Sequence, residues 1–243
     1  MASYLSQNGY GPGQAHSSAS LDTDDGDPDT PLFYCLPCRD PSEPVRWLLA
    51  VAELGHRQVV VDDPAKLAEL REKGRLLFHS LPMLCIDGCD IVQPRAIVRY
   101  LAKREGLCGR NDAEEAKCDM IAEAVSDMCK PVIYRPFKVF REMREPESDS
   151  HIRSAFQSIA PVLERIAKGN GVRGRMVGDS LTYADVLVAE AVHAIEEIQP
   201  GLTRMCPCLC GVRDSVLALA PMRAYFSSPA RFPPTTAETL QAL

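Results

Sequence analysis

The pattern of apolar and polar residues changes partway along the chain. Between residues 31 and 106, short apolar or β-branched runs alternate with stretches of helical spacing, which predicts the order β-α-β-α-β-β-α. Asp87-Gly88 between two such runs is typical of a hairpin turn. From residue 112 the strand pattern disappears and only helical spacing continues. We therefore expect a small α/β domain, residues 31–106, followed by an all-helical domain, residues 112–243.

The order predicted for residues 31–106 is thioredoxin-like, with the hairpin placed after a second crossover. Pro44 suits the first turn of a helix, because its missing N–H would be unbonded there, and Gly55 is expected to end that helix. Thr182 and Asp185 have the spacing of a capping box and predict another helix start. Residues 207–226 are expected to be helical as well.

Residues 1–30 differ from the rest in composition. They are rich in Gly, Ser, Gln, Asn and Asp and have too few apolar residues to offset chain entropy, so we expect a disordered acidic tail. Their five aspartates, without any Lys or Arg, account for −5 of the formal net charge of −6. The remainder is nearly neutral and gives no electrostatic reason to expect a nucleic-acid partner.

Targeting signals and disulfides are not expected from this sequence. The chain has no apolar run long enough to cross a bilayer, and its N-terminus resembles neither a secretory signal nor a mitochondrial presequence. We therefore expect a cytoplasmic protein without a membrane partner, whose ten cysteines are reduced thiols. Cys206, Cys208 and Cys210 lack the C-x-x-C spacing and the fourth ligand of a zinc site, so no metal is expected.

Four stretches of the chain resemble the cytosolic glutathione transferases, most closely the alpha and sigma classes. They are EPVRWLLA, LREKGRLLFHSLPMLCIDG, VQPRAIVRYLAKREGL and MVGDSLTYADVLVAEAV. The resemblance covers roughly residues 31 to 234. It implies an N-terminal thioredoxin-like domain and a C-terminal all-helical glutathione transferase domain. It also implies a homodimer that uses glutathione as co-substrate to conjugate or reduce small hydrophobic electrophiles.

The resemblance implies a peptide-binding edge at Ser80, Leu81 and Pro82. Pro82 matches the cis-proline of thioredoxin-like folds. Such a proline would leave the backbone N–H and C=O of Leu81 free to pair with glutathione as with one more strand. Arg71 falls where the alpha class has an arginine that contacts the glycine end of glutathione.

The other end of glutathione is expected at the start of the next helix. Gln93 matches a glutamine that holds the γ-glutamyl carboxylate, where a helix N-terminus favours an anion. Pro94 stands where the family has Ser or Thr, so a hydroxyl and an N–H are missing from this sequence. Asp127 matches an aspartate that faces the γ-glutamyl ammonium bound in the partner subunit.

The end of the first strand holds the candidate catalytic residues Tyr34, Cys35 and Cys38. In the alpha and sigma classes a tyrosine here hydrogen-bonds the glutathione sulfur and favours its thiolate. An ungapped match places Cys35 at that position, and one inserted residue in the following loop would place Tyr34 there, so both stay open. Strand alternation puts Phe33 and Cys35 on one face, and Leu32 and Tyr34 on the other.

Two alternative functions follow from the same residues. Near a helix N-terminus and Arg39, Cys35 is expected to have a lowered pKa, and Cys38 would be its resolving partner. That couple would make the protein a thiol- or glutathione-dependent reductase, similar to omega-class transferases or glutaredoxins. Pro94 favours a third hypothesis, a non-catalytic binding or structural relative of the transferases.

The electrophile is expected between the two domains, a usual place for such pockets. The helix that follows Asp127 would supply one wall, through side chains that recur at helical spacing. The candidates are Cys129, Val132, Ile133, Tyr134 and Phe137.

Overall fold

The computed structural model describes residues 29–141 and 145–235. For residues 134–141 and 145–146 it describes the backbone but not the side chains. The acidic tail predicted for residues 1–30 lies outside the described residues except for its last two. Within the described ranges, no helix combines the length and the apolar character needed to cross a membrane.

The first part of the chain folds around one mixed sheet of four short strands in the order β2-β1-β3-β4. β1 pairs with β2 in parallel and with β3 antiparallel, and β3 pairs antiparallel with β4. The strands are β1 (Leu32–Cys35), β2 (Arg57–Val60), β3 (Met83–Ile86) and β4 (Cys89–Val92). Helices α1 (Glu43–Val51), α2 (Pro64–Glu72) and α3 (Pro94–Arg104) complete this part. The predicted thioredoxin-like order is confirmed.

Residues with a left-handed backbone conformation form the β3–β4 hairpin turn and the turn that ends α1. Asp87 and Gly88 have φ of 51° and 75°, as a two-residue hairpin requires, so the predicted hairpin is confirmed. The expectation that Gly55 ends α1 is wrong, since the helix ends at Val51. Glu53 takes φ 51°, and the N–H of Leu54 donates to the carbonyl of Leu49 at 3.2 Å. This C-terminal hydrogen-bond pattern stops the helix before the glycine.

The second part of the chain is helical. It comprises α4 (Asp112–Arg141), α5 (Glu145–Asn170), α6 (Tyr183–Ile198), a short 3-10 helix (Leu202–Met205), α7 (Pro207–Leu217) and α8 (Ala220–Phe226). The predicted capping box is present at the start of α6, where the N–H of Thr182 donates to Asp185 Oδ2 at 2.8 Å. Residues 207–226 form two helices, and the second begins at Ala220 with Pro221 in its first turn.

The sheet has a different hydrophobic core on each face. Phe33 and Cys35 belong to a large cluster that continues through Trp47 of α1 into the helical part. Tyr34 belongs to a smaller cluster on the other face, with Leu70 of α2 and Met83 of β3 among its members. The predicted alternation along β1 is therefore confirmed, and it decides which side chains point toward the helical part.

Candidate functional site

Tyr34 lies at the end of β1 but on the face of the sheet that α2 covers. Its side chain is fully buried. Arg75 Nη1 donates to its hydroxyl at 3.4 Å, and the guanidinium lies 5.2 Å from the ring centroid. Arg75 is itself paired with Asp90, at 2.7 Å. The Tyr34 hydroxyl is therefore bound on the side of the sheet opposite to the helical part.

Cys35 points the other way, toward the helical part, and its side chain is also fully buried. Burial raises the pKa of its thiol, although the charge and the hydrogen bond of Arg46 act in the opposite direction. The predicted lowering of this pKa is wrong, because desolvation penalises the thiolate more than the neighbouring cation stabilises it. The cation beside the thiol is also Arg46 rather than Arg39.

Cys38 is buried in the loop between β1 and α1. Burial, followed by the nearby charge of Asp40, raises its pKa to about 12. All ten cysteines are free thiols, so Cys35 and Cys38 are not joined by a disulfide. Both thiols are protonated at neutral pH, and the arrangement lacks the thiolate that thiol–disulfide exchange requires.

Arg39 is held by the C-terminal segment rather than directed at the cysteines. Its Nε donates to the carbonyl oxygen of Phe232 at 2.8 Å, and its Nη1 donates to Glu197 Oε2 at 2.5 Å. Thr235 Oγ1 in turn donates to the carbonyl oxygen of Arg39 at 2.7 Å. Residues 232–235 therefore pack on the loop that contains Cys38.

Arg46 of α1 organises this loop, and the sequence had not singled it out. Its side chain is buried, and it donates to the carbonyl oxygens of Leu36 at 3.3 Å and Cys38 at 3.4 Å. It also pairs with Glu43 at 3.2 Å. A buried guanidinium with several acceptors fixes the geometry of the backbone it contacts.

Two buried carboxyls stand where the sheet part and the helical part meet. Glu43 accepts hydrogen bonds from Trp47 Nε1 at 3.2 Å and from the Tyr225 hydroxyl at 2.9 Å. Glu190 of α6 is buried beside it, and burial, reinforced by the charge of Glu43, raises the pKa of Glu190 to about 8. The signal that could have found Glu190 is an acidic residue inside the apolar run of α6.

The residues expected to pair with a peptide lie just before β3, an interior strand of the sheet. The bond between Leu81 and Pro82 is cis, as predicted. β3 begins at Met83, and the backbone N–H and C=O of Leu81 make no hydrogen bond to another described residue. Ser80 is exposed beside them. Arg71 Nε donates to the carbonyl oxygen of His79 at 2.9 Å, which holds this exposed arginine against the same segment.

Gln93 is held in a left-handed conformation at the start of α3, with φ 75°. Such a backbone is uncommon for a residue other than glycine and is often found at functional sites. Its exposed side chain makes no capping hydrogen bond to α3, and Pro94 occupies the first turn. Met83 is paired with Val92, so Gln93 stands next to Pro82, immediately beyond the end of the β3–β4 ladder.

The residues predicted on α4 fall into different environments. Asp127 is exposed and ion-paired with Lys130 at 2.6 Å. Cys129 and Val132 are buried in the large core, where burial raises the pKa of Cys129 well above its usual range. Ile133 is half-buried against that core. The predicted Tyr134 and Phe137 side chains lie outside the described residues. Cys129 therefore packs the core and does not line an open pocket.

Residues 206–210, for which no zinc site was predicted, form the start of α7 and contact Glu164 of α5. Cys208 and Leu209 donate their N–H groups to the Glu164 carboxylate, which caps the start of α7. Among the described residues, no group of three or more His, Cys, Asp or Glu side chains has a geometry suited to a metal ion.

Comparisons with known proteins agree with this architecture. Two family models match the chain: the glutathione S-transferase N-terminal domain at residues 37–103, and the glutathione S-transferase C-terminal domain at residues 126–229. Glutathione S-transferase alpha-5 of Rattus norvegicus is 33% identical, with 82% of this chain and 89% of the relative covered. Glutathione S-transferase A3 of Homo sapiens is 30% identical, with 87% and 95% covered.

Solved structures are similar as well. A Nu-class glutathione S-transferase from Haemonchus contortus has a TM-score of 0.70 and 27% identity, with 82% of this chain and 96% of that chain covered. A glutathione S-transferase from Necator americanus, described as monomeric, has a TM-score of 0.74 and 21% identity, with 85% and 98% covered. The second likeness concerns the fold alone.

Proposed function

Because this chain belongs to the glutathione S-transferase family, we propose that it conjugates glutathione to small hydrophobic electrophiles. The observation that carries the proposal is the segment at Leu81, just before β3, whose backbone N–H and C=O make no hydrogen bond to another described residue. Gln93 flanks this segment on one side and Arg71 on the other. A short peptide with a carboxylate at each end suits such a segment, because main-chain pairing and polar end groups recognise it together.

In the proposed reaction the glutathione sulfur, as a thiolate, forms a bond to an electrophilic carbon and a leaving group departs with its electron pair. The protein must favour the thiolate over the thiol at neutral pH. At the end of β1 the buried Arg46 guanidinium favours an anion, while the carboxyls of Asp40 and Glu43 beside it act in the opposite direction. A protonated Cys35 is suited to donate a hydrogen bond rather than to attack the substrate, but its side chain is fully buried, so it reaches the sulfur only if the loop after β1 opens.

The position of Cys35 supports it over Tyr34 as the residue beside the reacting sulfur. Cys35 lies on the face toward the helical part, where the electrophile is expected, whereas the Tyr34 hydroxyl is bound to Arg75 on the opposite face. The raised pKa values of Cys35 and Cys38 weigh against the reductase hypothesis, because that chemistry begins from a thiolate.

The test compares Cys35→Ala with Tyr34→Phe in conjugation of glutathione to a chlorinated dinitrobenzene. We expect Tyr34→Phe to keep kcat within about threefold of the original chain and Cys35→Ala to lower it about tenfold, since it removes one hydrogen-bond donor. Cys38→Ala serves as the matched thiol control. Failure of the original chain to bind immobilised glutathione, with no thermal stabilisation by glutathione, would support the non-catalytic relative instead.

We also propose that the enzyme is a homodimer. The loop before Leu81 exposes two large apolar side chains, Leu77 and Phe78, at 52% and 58% of their surface. A largely apolar groove of about 660 Å³ lies between α4 and α5, and Met120, Val162 and Ile166 are among the exposed side chains that line it. Exposed apolar features of this size favour a partner surface, and a second copy offers both the loop and the groove.

We also propose that the protein is located in the cytoplasm. It is supported by ten free cysteines in one chain, which is typical of a reducing environment. Alkylation of thiols in intact cells, followed by fractionation and mass spectrometry, measures both the compartment and the redox state.

A further inference from the structure

We infer, building on the proposed function, that this enzyme selects its thiol mainly through the cysteinylglycine half. Peptide thiols without the γ-glutamyl group, such as cysteinylglycine, are then co-substrates beside glutathione. The residue that sets this specificity is Pro94. The inference depends on where the two ends of a peptide paired with Leu81 would lie.

The sheet register fixes those ends. Met83 pairs with Val92 at the end of the β3–β4 ladder, so Pro82 and Gln93 are the next neighbours outward. A peptide that pairs antiparallel with the segment around Leu81 has its N-terminal half toward Gln93 and its C-terminal half toward His79. The γ-glutamyl group of glutathione would therefore meet the start of α3, and the glycine carboxylate would meet Arg71, which is bound to His79.

The start of α3 is poor in hydrogen-bond donors. Pro94 has neither an N–H nor a hydroxyl, so two donors that a Ser or Thr would supply are missing. The N–H of Ile97 already donates to the Gln93 carbonyl at 3.0 Å. The arginine that follows Pro94 in α3 is also engaged, because Arg95 pairs with Glu123 and donates to Ser126 Oγ at 3.2 Å. A carboxylate there would be left with the Gln93 amide and the two backbone N–H groups of Arg95 and Ala96.

At the glycine end of the bound peptide, the positive charge of Arg71 is available to a carboxylate. Arg71 is exposed, and within the described ranges it forms no ion pair with a carboxylate. Its Nε is used by the His79 carbonyl, so its terminal nitrogens can take a carboxylate in the fork geometry that arginine favours. Recognition of a tripeptide is therefore weighted toward the cysteine and glycine, away from the γ-glutamyl group.

The experiment measures kcat/KM for three thiols with a chlorinated dinitrobenzene: glutathione, cysteinylglycine and γ-glutamylcysteine. If the two donors that Pro94 lacks were present, kcat/KM would be about a hundredfold higher for glutathione than for cysteinylglycine, roughly one order of magnitude per hydrogen bond to the carboxylate. For this chain we expect a ratio below about thirty. We also expect γ-glutamylcysteine, which lacks the group that Arg71 would bind, to be a poorer substrate than cysteinylglycine.

The variant Pro94→Ser restores both donors, and we expect it to raise the ratio of kcat/KM for glutathione to that for cysteinylglycine to about a hundred, the value for the complete subsite. Pro207→Ser makes the same change at the start of α7, a different helix, and should leave the ratio as it is. Thermal melting of both variants checks that they fold.

A ratio above about thirty in the original chain, a ratio that Pro94→Ser does not raise, or γ-glutamylcysteine outperforming cysteinylglycine would each overturn the inference while leaving the transferase function intact. Absence of turnover with every thiol would overturn the proposed function itself, and this inference with it.

Discussion

Glu190 shows at the scale of one residue how packing changes a side chain's chemistry. It is a carboxyl on α6, buried where Glu43 of α1 also lies, and the charges of Glu197 and Arg39 act on it as well. Burial raises its pKa to about 8, so the protonated form is the stable one in the folded state at neutral pH. A group of this kind makes folding stability depend on pH.

The sign of that dependence follows from the two states. In the unfolded chain Glu190 has an ordinary pKa near 4.5, so folding keeps a proton that the unfolded chain loses. The stability associated with protonated Glu190 is fully present below pH 4.5 and is lost as the pH rises through about 8. We expect Glu190→Gln to be more stable than the original chain at pH 9, by on the order of 4 kcal/mol, and the difference to shrink toward pH 5.

Urea unfolding at a series of pH values measures this difference. Glu72→Gln, at the exposed end of α2, is the matched control, for which we expect parallel curves. Identical pH profiles for Glu190→Gln and the original chain would show that the buried carboxyl does not hold its proton.

At the scale of one element, α1 and the loop before it depend on Arg46. This arginine joins the carbonyls of Leu36 and Cys38 to the carboxylate of Glu43, so the loop is attached to its own helix. Its guanidinium also lies 4.8 Å from the ring centroid of Phe232, which brings in the C-terminal segment. The loop that carries Cys38 is therefore ordered by one buried cation.

Replacing Arg46 with Leu should destabilise the protein by about 3–5 kcal/mol, because Glu43 and the two carbonyls would be left buried without their partner. Chemical denaturation provides the measurement. Arg95→Leu, which breaks an exposed ion pair with Glu123, should cost less than about 1 kcal/mol. A similar small loss for both variants would mean that the loop is held by other contacts.

At the scale of the whole molecule, α1 connects the sheet to the helical part. Trp47 of α1 packs against Phe226 of α8 with ring centroids 5.5 Å apart, and Glu43 accepts a hydrogen bond from Tyr225. The two parts thus share one continuous core. The apolar loop at Phe78 and the exposed side chains of the groove between α4 and α5 face solvent.

If a second copy covers these surfaces, Phe78→Ala should weaken the dimer about tenfold or more, because a large apolar side chain would no longer be buried at the interface. Sedimentation velocity over a concentration series measures the dissociation constant. Met205→Ala removes an equally exposed apolar side chain, 58% accessible, from a different surface and is the control. Equal association of both variants would contradict this interface.

The sequence predicted the order of strands and helices along the chain, the hairpin at Asp87-Gly88 and the capping box at Thr182, because these are local features. Hydrophobic periodicity, turn residues and caps act over a few neighbouring positions. The cis bond before Pro82 was also predicted, since a short motif around Pro82 specifies it, whereas peptide binding at Leu81 stays a prediction. The end of α1 was missed, because Glu53 adopts a left-handed conformation that favours glycine.

The sequence by itself determined the elements, their order and the faces of β1, because each depends on the chain's own short-range pattern. Only the tertiary structure decided that Arg46 rather than Arg39 stands beside Cys35, and that this thiol has a raised pKa. Arg39 is bound to Phe232, 193 positions away in the chain, and no local pattern encodes that contact. Charge pairing and desolvation depend on which distant residues pack together, so the chemistry of the site is a property of the folded molecule.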